Sequence, residues 1–237
     1  MSGIRGRMDG SLLESRRSIR SFTAEKPGRE ILTRLIEAAT LAPSASNKQP
    51  WRFFMVDDQA LIGALADAVQ KAVDGTTPKL MRDFAGAFSD YAGYFVRFRA
   101  APALIVPAFK SLTVLSHLVE SALTAEEEKR IGEMELYSGL ISTSLAIQNL
   151  MLCAHSLGLG TSCMTGPLLA EGELKRLLGI PPAWRIAALI PVGYPAETPA
   201  SVPRKSAESV MRWVEPKPGA ASGEGENESD GKGGGDG

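Results

Sequence analysis

The chain has 237 residues, 44% hydrophobic and 22% charged, close to the averages for soluble globular chains and enough to bury the core of one domain. Its 26 Lys and Arg nearly balance 27 Asp and Glu, so no global field gathers nucleic acid or an anionic membrane, and neither is an expected partner. Cys153 and Cys163 read as buried thiols, and His117 and His155 as surface or satisfied core imidazoles; their spacing suits no zinc site and no metal is expected.

Met1 to Asp9 is short and polar, unlike a signal peptide. Ser11-Leu12-Leu13-Glu14 has the Ser-x-x-Glu form of a capping box and predicts a short helix delivering Arg16 to Arg20 at or beyond its end. From Glu30 to Thr40, Ile31, Leu32, Leu35, Ile36 and Ala39 share one helical face that stops before Pro43. Asp58 is placed to cap a third helix, with Leu61, Ile62, Leu65, Ala68 and Val69 on its buried side. Four strand-like runs stand between helical stretches: Trp51 to Val56, Ala103 to Ala108, Gly160 to Met164 and Arg185 to Gly193.

In the middle of the chain Phe84, Phe88, Tyr91, Phe95 and Phe98 recur every three or four residues, an aromatic stripe that reads either as core packing or as a movable lid. Glu126 to Glu128 reads as a solvated helix face. Tyr137 to Leu157 would form a helix about 30 Å long, apolar on nearly every face; it needs cover all round, which a second copy of the chain would supply. Gly158 and Gly160 offer its left-handed cap. Ser142, Thr143, Ser144, Gln148, Asn149 and His155 are among the polar residues that interrupt Leu140 to Leu157, which falls short of a membrane span, and a cytoplasmic protein with reduced thiols is expected. Pro216 to Gly237 is mostly Gly, Glu, Ser, Asp and Asn with almost no large apolar side chain, the composition of a disordered tail. The expectation is a layered α+β fold, a mixed sheet flanked by helices, with one domain over 1–215 and a tail over 216–237.

Three segments concentrate groups suited to a phosphorylated, heteroaromatic ligand. Arg16-Arg17-Ser18-Ile19-Arg20-Ser21-Phe22 offers three guanidiniums and two hydroxyls for charge-assisted hydrogen bonds to a phosphate, although alone it reads as a solvated basic face. Pro43-Ser44-Ala45-Ser46-Asn47-Lys48-Gln49-Pro50-Trp51 is either an elaborate turn or a loop for recognising the edge of a polar ring. Arg204-Lys205, before Val210, Met211 and Trp213, is a surface charge pair or a further phosphate contact.

Taken in this order, the segments resemble the nitroreductase and flavin reductase family. Arg16 to Phe22 is similar to its Arg-Arg-Ser-x-Arg-x-Phe motif and Pro43 to Trp51 to its Pro-Ser-x-x-Asn-x-Gln-Pro-Trp motif. Gln148 to Gly160 resembles its long helix and following glycine turn, and Ile190 to Pro195 its late strand; the likeness runs from about Leu12 to Glu215.

The resemblance implies a nitroreductase-like fold with the long helix at a dimer interface, an FMN cofactor and NAD(P)H as electron donor. It implies that Arg16, Arg17, Ser18 and Arg20 hold the FMN phosphate, ribityl chain and pyrimidine edge, with Arg204 and Lys205 completing the phosphate site. Pro43, Ser44, Ala45, Ser46, Asn47 and Gln49 would reach the flavin from the partner subunit, and Met164, Thr165 and Gly166 would approach its central ring. In this turn the chain has no carboxylate where some relatives carry a Glu. The implied activity is ping-pong electron transfer from NAD(P)H to a small acceptor (nitro compound, quinone or flavin), with no catalytic side chain. The alternatives are reductive dehalogenation or flavin breakdown on the same fold, and a flavin-binding module without turnover.

Overall fold

A 32-residue helix sets the frame of the computed structural model, which describes residues 10–119 and 122–215. The chain divides into two compact units, Met1–Ala200 and Ser201–Gly237. In the first, the elements in order are α1 (Gly10–Ser15), α2 (Arg29–Thr40), β1 (Trp51–Val56), α3 (Gln59–Thr76), α4 (Arg82–Ala92), β2 (Ala103–Phe109), α5 (Ala125–Ser156), β3 (Gly160–Thr161), α6 (Glu171–Leu178), β4 (Arg185–Ile186) and β5 (Ile190–Gly193). The capping box expected at Ser11 rests on a side chain outside the described residues, as does the tail over 216–237.

The sheet runs β1-β2-β5-β3, with β4 also on β2; all four ladders are antiparallel, and a parallel bridge joins Ser18 to Thr161. Every residue of β2 is buried, because the sheet is covered on both faces. The period of two along a strand sorts its side chains. Ala103, Ile105 and Phe109 join a core with Leu32, Leu35 and Ala39 of α2 and Ile147 and Leu150 of α5. Leu104, Val106 and Ala108 enter a second core with Ile62, Leu65 and Val69 of α3 and Leu174 of α6. The result is an α+β fold of three layers, helix on sheet on helix.

Two strand boundaries differ from the sequence expectation. The run from Arg185 to Gly193 breaks at Ala187–Leu189, because both backbone groups of Leu189 pair with Met164, at 3.0 and 2.9 Å. The run from Gly160 to Met164 is correspondingly a two-residue strand followed by that isolated bridge.

The long helix begins twelve residues ahead of Tyr137. Thr124 and Glu127 close a reciprocal capping box, the Thr124 hydroxyl accepting from Glu127 N at 3.3 Å and the Glu127 carboxylate from Thr124 N at 2.8 Å. Glu126 to Glu128 is therefore its first turn, where negative charge suits the helix dipole. Gly158, at φ 75°, supplies the left-handed turn after the helix, whereas Gly160 has no positive φ and serves another purpose. Over an 18-residue window α5 is long and apolar enough to cross a membrane by composition. Here it packs on α2 and β2 instead, and buries Glu135, Ser142 and Thr143 in the fold. One apolar face is left exposed: Met134, Tyr137, Ile141 and Leu145.

Glu135 fastens α5 to the segment after β2. Its carboxylate, only 3% exposed, accepts from Val114 N at 2.8 Å, Ser116 N at 3.0 Å and the Ser116 hydroxyl at 3.0 Å. Burial alone would push this carboxyl up, but the donors from Ser116 and Val114 outweigh it and hold it below the usual carboxylate range. Among the described residues of the second unit there is a short helix, α7 (Ala207–Val210), capped by the Ser206 hydroxyl accepting from Ser209 N at 3.3 Å.

A depressed carboxyl stabilises the fold above its unfolded value near pH 4.5, and this contribution disappears as pH falls through the lower folded value. Glu135→Gln is expected to cost about 1.5 to 3 kcal/mol at pH 7. Urea unfolding of the two proteins should also converge as pH is lowered from 5 to 3; a constant gap would contradict the assignment.

Candidate active site

The basic segment is held in place by its backbone. Ile19 N donates to Thr161 O at 2.9 Å, next to the Ser18–Thr161 bridge. Ile19 fits because residue 160 is glycine: a Cβ there would lie 2.7 Å from Ile19 Cβ and Cγ2. On the other side Ala196 N donates to Ser21 O at 3.0 Å and Thr23 N to Tyr194 O at 2.9 Å. Residues 18–23 are thereby clamped between β3 and the chain leaving β5.

Glu197 completes the clamp. Its Oε1 accepts from Arg20 N at 2.6 Å and Ser21 N at 2.9 Å, satisfying two adjacent donors. Nothing in the local sequence marks Glu197, because its partners lie 177 and 176 residues away.

Two cavities open along the clamped segment. One, of about 550 Å³, is lined by Ser15, Arg16, Arg17, His155, Thr161 and Glu197 among others. The second, of about 290 Å³, brings Arg20 together with Met164, Thr165, Gly166, Tyr91 and Tyr94. Among the described residues no carboxylate forms an ion pair with Arg16, Arg17 or Arg20. Arg17 donates to the carbonyls of Glu14 and Arg16, and Arg20 to Ser18 O at 3.4 Å. His155 meets the Ser15 hydroxyl at 2.8 Å; burial, then the charges of Arg16 and Arg17, push it below the ordinary imidazole range and keep it neutral at pH 7. A larger hollow of about 740 Å³ between α3 and α6 has little to offer a ligand: its carboxylates Asp67 and Glu173 are paired to Arg99 and Arg176.

The turn after β3 contributes differently residue by residue. The Met164 N–H and C=O are both taken by Leu189, so its side chain, rather than its backbone, lines the second cavity. Thr165 is exposed, and Cys163 lies exposed beside it, against the expectation of a buried thiol; protein atoms around the sulfur still push the thiol up. Cys153 is half-buried. The aromatic stripe divides: Phe95 and Phe98 are buried, while Phe84 and Tyr91 are exposed.

The Pro43 to Gln49 loop lies elsewhere on the subunit. Ala45 N donates to the Ser142 hydroxyl at 3.3 Å, thirteen residues, or about 20 Å of helix, from His155. Ser46, Asn47 and Gln49 all have φ near 50°, an unusual density of left-handed non-glycine residues. Gln49 N donates to the Ser44 hydroxyl at 3.0 Å and the Gln49 amide to Asn47 Oδ1 at 3.3 Å, so the loop is braced from within. Pro43, Ala45, Ser46, Asn47 and Gln49 are exposed and Ser44 partly so. Arg204 and Lys205 lie in the second unit, both exposed, just ahead of α7.

Comparison with known proteins gives this arrangement a context. The model of the Nitroreductase family matches residues 13–194. The chain belongs to the nitroreductase family. It is 30% identical over 190 residues to the 5,6-dimethylbenzimidazole synthase of Rhodospirillum rubrum, covering 79% of this chain and 82% of that one. Two solved structures share the family fold. A BluB-like flavoprotein from Clostridium difficile has a TM-score of 0.77 at 23% identity, covering 89% of this chain and 100% of its own. An iodotyrosine deiodinase bound to FMN and 3-iodo-L-tyrosine has a TM-score of 0.66 at 24% identity, covering 87% and 98%. Within one family fold, then, stand proteins named for nitro reduction, deiodination and dimethylbenzimidazole synthesis.

Removing the Glu197 carboxylate should loosen the basic segment without touching the core. A charge-assisted hydrogen bond at an exposed position contributes about 1.5 kcal/mol, at the low end of its range. Glu197→Ala is therefore expected to speed amide exchange at Arg20 and Ser21 by about tenfold while Ile105 and Leu150 amides stay as slow as before; unchanged exchange at Arg20 would exclude the clamp.

Proposed function

We propose that this protein is an FMN-dependent oxidoreductase of the nitroreductase type, a homodimer that carries electrons from NAD(P)H to a small acceptor such as a quinone, nitro compound or flavin. The observation that carries the reading is the guanidinium row, which no carboxylate among the described residues pairs with, set against the Met164–Gly166 turn. A half-buried arginine without an acid partner suits a phosphate dianion, and Arg16 is one. FMN, when bound, supplies the relay by which a hydride from the nicotinamide is passed on to the acceptor.

The chain's own residues bind, orient and set charge. Arg16, Arg17 and Ser18 hold the phosphate and ribityl end. Arg20 is the one charged group lining the second cavity among the described residues, and keeps positive charge beside the ring. Thr165 and Gly166 offer backbone groups to it. Among the described residues neither a carboxylate nor an imidazole lines that cavity, and hydride transfer depends on stacking geometry.

The distance between the Pro43–Gln49 loop and the basic segment supports a site shared between subunits. The loop rests near Ser142, beside the exposed stripe of Met134, Tyr137, Ile141 and Leu145. A second copy packed on that apolar face would receive Ser44, Ala45, Ser46, Asn47 and Gln49 at its own flavin.

A second reading, specialised flavin chemistry such as flavin breakdown or reductive dehalogenation, is favoured by the 30% identity to the Rhodospirillum rubrum synthase. An anaerobic screen with purified holoprotein separates the two. Steady NADH or NADPH oxidation with quinones or nitroarenes supports the first. Turnover confined to a halogenated phenol, or loss of free reduced flavin on admitting oxygen, supports the second. Protein that is yellow but inert would be a flavin-binding module.

Arg16→Ala removes one charge-assisted partner, worth about 1.5 to 3 kcal/mol, so FMN binding should weaken tenfold or more by fluorescence titration. Wild-type affinity would rule out the phosphate site. Coexpression tests the shared site: an Arg16→Ala/Arg17→Ala chain and a Ser46→Ala/Asn47→Ala chain form heterodimers with one doubly damaged site and one intact. Tagged, purified heterodimers should recover flavin and activity that neither homodimer shows. No recovery would place both motifs in one subunit's site.

A further inference from the structure

The geometry points to Phe95 as a positioning residue: its ring, seated in the space where residue 166 lacks a side chain, carries α4 onto the Met164–Gly166 turn and sets Tyr91 and Tyr94 over the second cavity. The inference rests on the reading that this turn faces the flavin.

A Cβ built on Gly166 would overlap the edge of the Phe95 ring, 2.6 Å from Cγ and nearer still to Cδ1 and Cε1. Gly166 has no positive φ, so the need for glycine there is one of space, and the obstacle is a single side chain rather than backbone. Phe95 is buried and makes edge-to-face contacts with Tyr91, centroids 5.2 Å apart, and Phe88, 6.3 Å apart. The ring is therefore the common neighbour of the turn and of the helix.

Little else fastens α4. Along the helix Phe88 and Ala85 are only partly buried, and Ala92 alone is fully so, at its C-terminal end. Past that end come Tyr94, whose ring lies 4.0 Å beneath the Arg97 guanidinium, then Phe95 and the buried Phe98. The helix is thus held near one end. Tyr91 and Tyr94 both line the cavity with Arg20, Met164 and Thr165, yet their rings are largely exposed, 63% and 45% by residue. Their place relative to the turn depends on Phe95. The two roles first considered for the aromatic stripe are divided along it: Phe95 and Phe98 are anchors, while Tyr91 and Tyr94 form the wall that meets the acceptor.

The test is a double-mutant cycle on the holoprotein, with menadione as acceptor and melting temperature and tryptic cleavage at Arg97 as readouts that need no turnover. Gly166→Ala should evict the Phe95 ring, lower kcat/KM for menadione at least tenfold and expose Arg97 to trypsin. Phe95→Ala should raise KM for menadione more than it lowers kcat, since it frees the wall. The double variant should recover at least fivefold in kcat/KM over Gly166→Ala, because the added methyl then has room. Should Phe95→Ala not fold, Phe95→Leu takes its place in the cycle, with the rescue expected to be partial. Losses that simply multiply would overturn the proposal, as would a Phe95 variant that changes melting temperature alone with KM untouched. A wild-type protein that binds no FMN would instead remove the flavin reading, and the role over the acceptor with it; non-additive melting temperatures and Arg97 cleavage would then still decide whether Phe95 and Gly166 interlock.

Discussion

Ile19 occupies the place that a side chain at residue 160 would take, and the candidate site depends on that contact. With a Cβ at 160 the isoleucine would be displaced, its hydrogen bond to Thr161 would lengthen, and the arginines on either side would lose their common platform. Guanidiniums on a free N-terminal arm would repay their ordering entropy only through the ligand itself. Clamped to β3 on one side and to residues 194–197 on the other, the segment presents Arg16, Arg17 and Arg20 at fixed spacing in the absence of any ligand. Repulsion among them is tolerable because two of the three are turned onto backbone carbonyls.

The sheet makes this platform possible. β2, buried on both faces, is the axis on which β1, β4 and β5 assemble, and its alternation of side chains divides the interior into two cores. The site lies at the β3 margin, where the chain departs from regular pairing: β3 is two residues long, and Leu189 leaves β2 to pair with Met164. Irregularity at that margin frees Thr165 and Gly166 from the ladder. An uninterrupted strand from Gly160 to Met164 beside one from Arg185 to Gly193 would have consumed their backbone groups in pairing.

Much of this was legible in the sequence wherever the determinant is local. The one-face spacing from Glu30 to Thr40 describes α2 almost to the residue, and the Asp58 cap, which accepts from Leu61 N at 2.7 Å, marks the start of α3. Trp51 to Val56 is a strand with the expected ends. The start of α5 was equally readable, since Thr124 and Glu127 have capping-box spacing, but the acidic run drew attention to solvation instead. What could not be read are the distant pairings. Glu197 is an ordinary surface glutamate until it meets Arg20 and Ser21. The aromatic stripe keeps helical period through Phe98, yet the helix stops at Ala92, so periodicity alone could not tell anchors from exposed rings. The breadth of burial expected for Tyr137 to Leu157 is half realised: one side is packed, and the other keeps an apolar stripe open to solvent.

The contacts that hold the basic segment span nearly the whole chain. Ser15 reaches His155 across 140 residues and Arg20 reaches Glu197 across 177, whereas α2 and α3 complete their hydrogen bonds within a few turns. Closing loops of that length carries an entropy cost that only a preformed sheet can offset. The order of events is therefore set by topology: helices come first, the β1–β2 pairing next, β5 and β3 later, and the N-terminal arginines last. During synthesis the earliest-made residues of this candidate site are among the last to find their places, since residues 194–197 must be made before the clamp can close. A nascent chain shorter than this would have its helices and much of its sheet in reach, and no site.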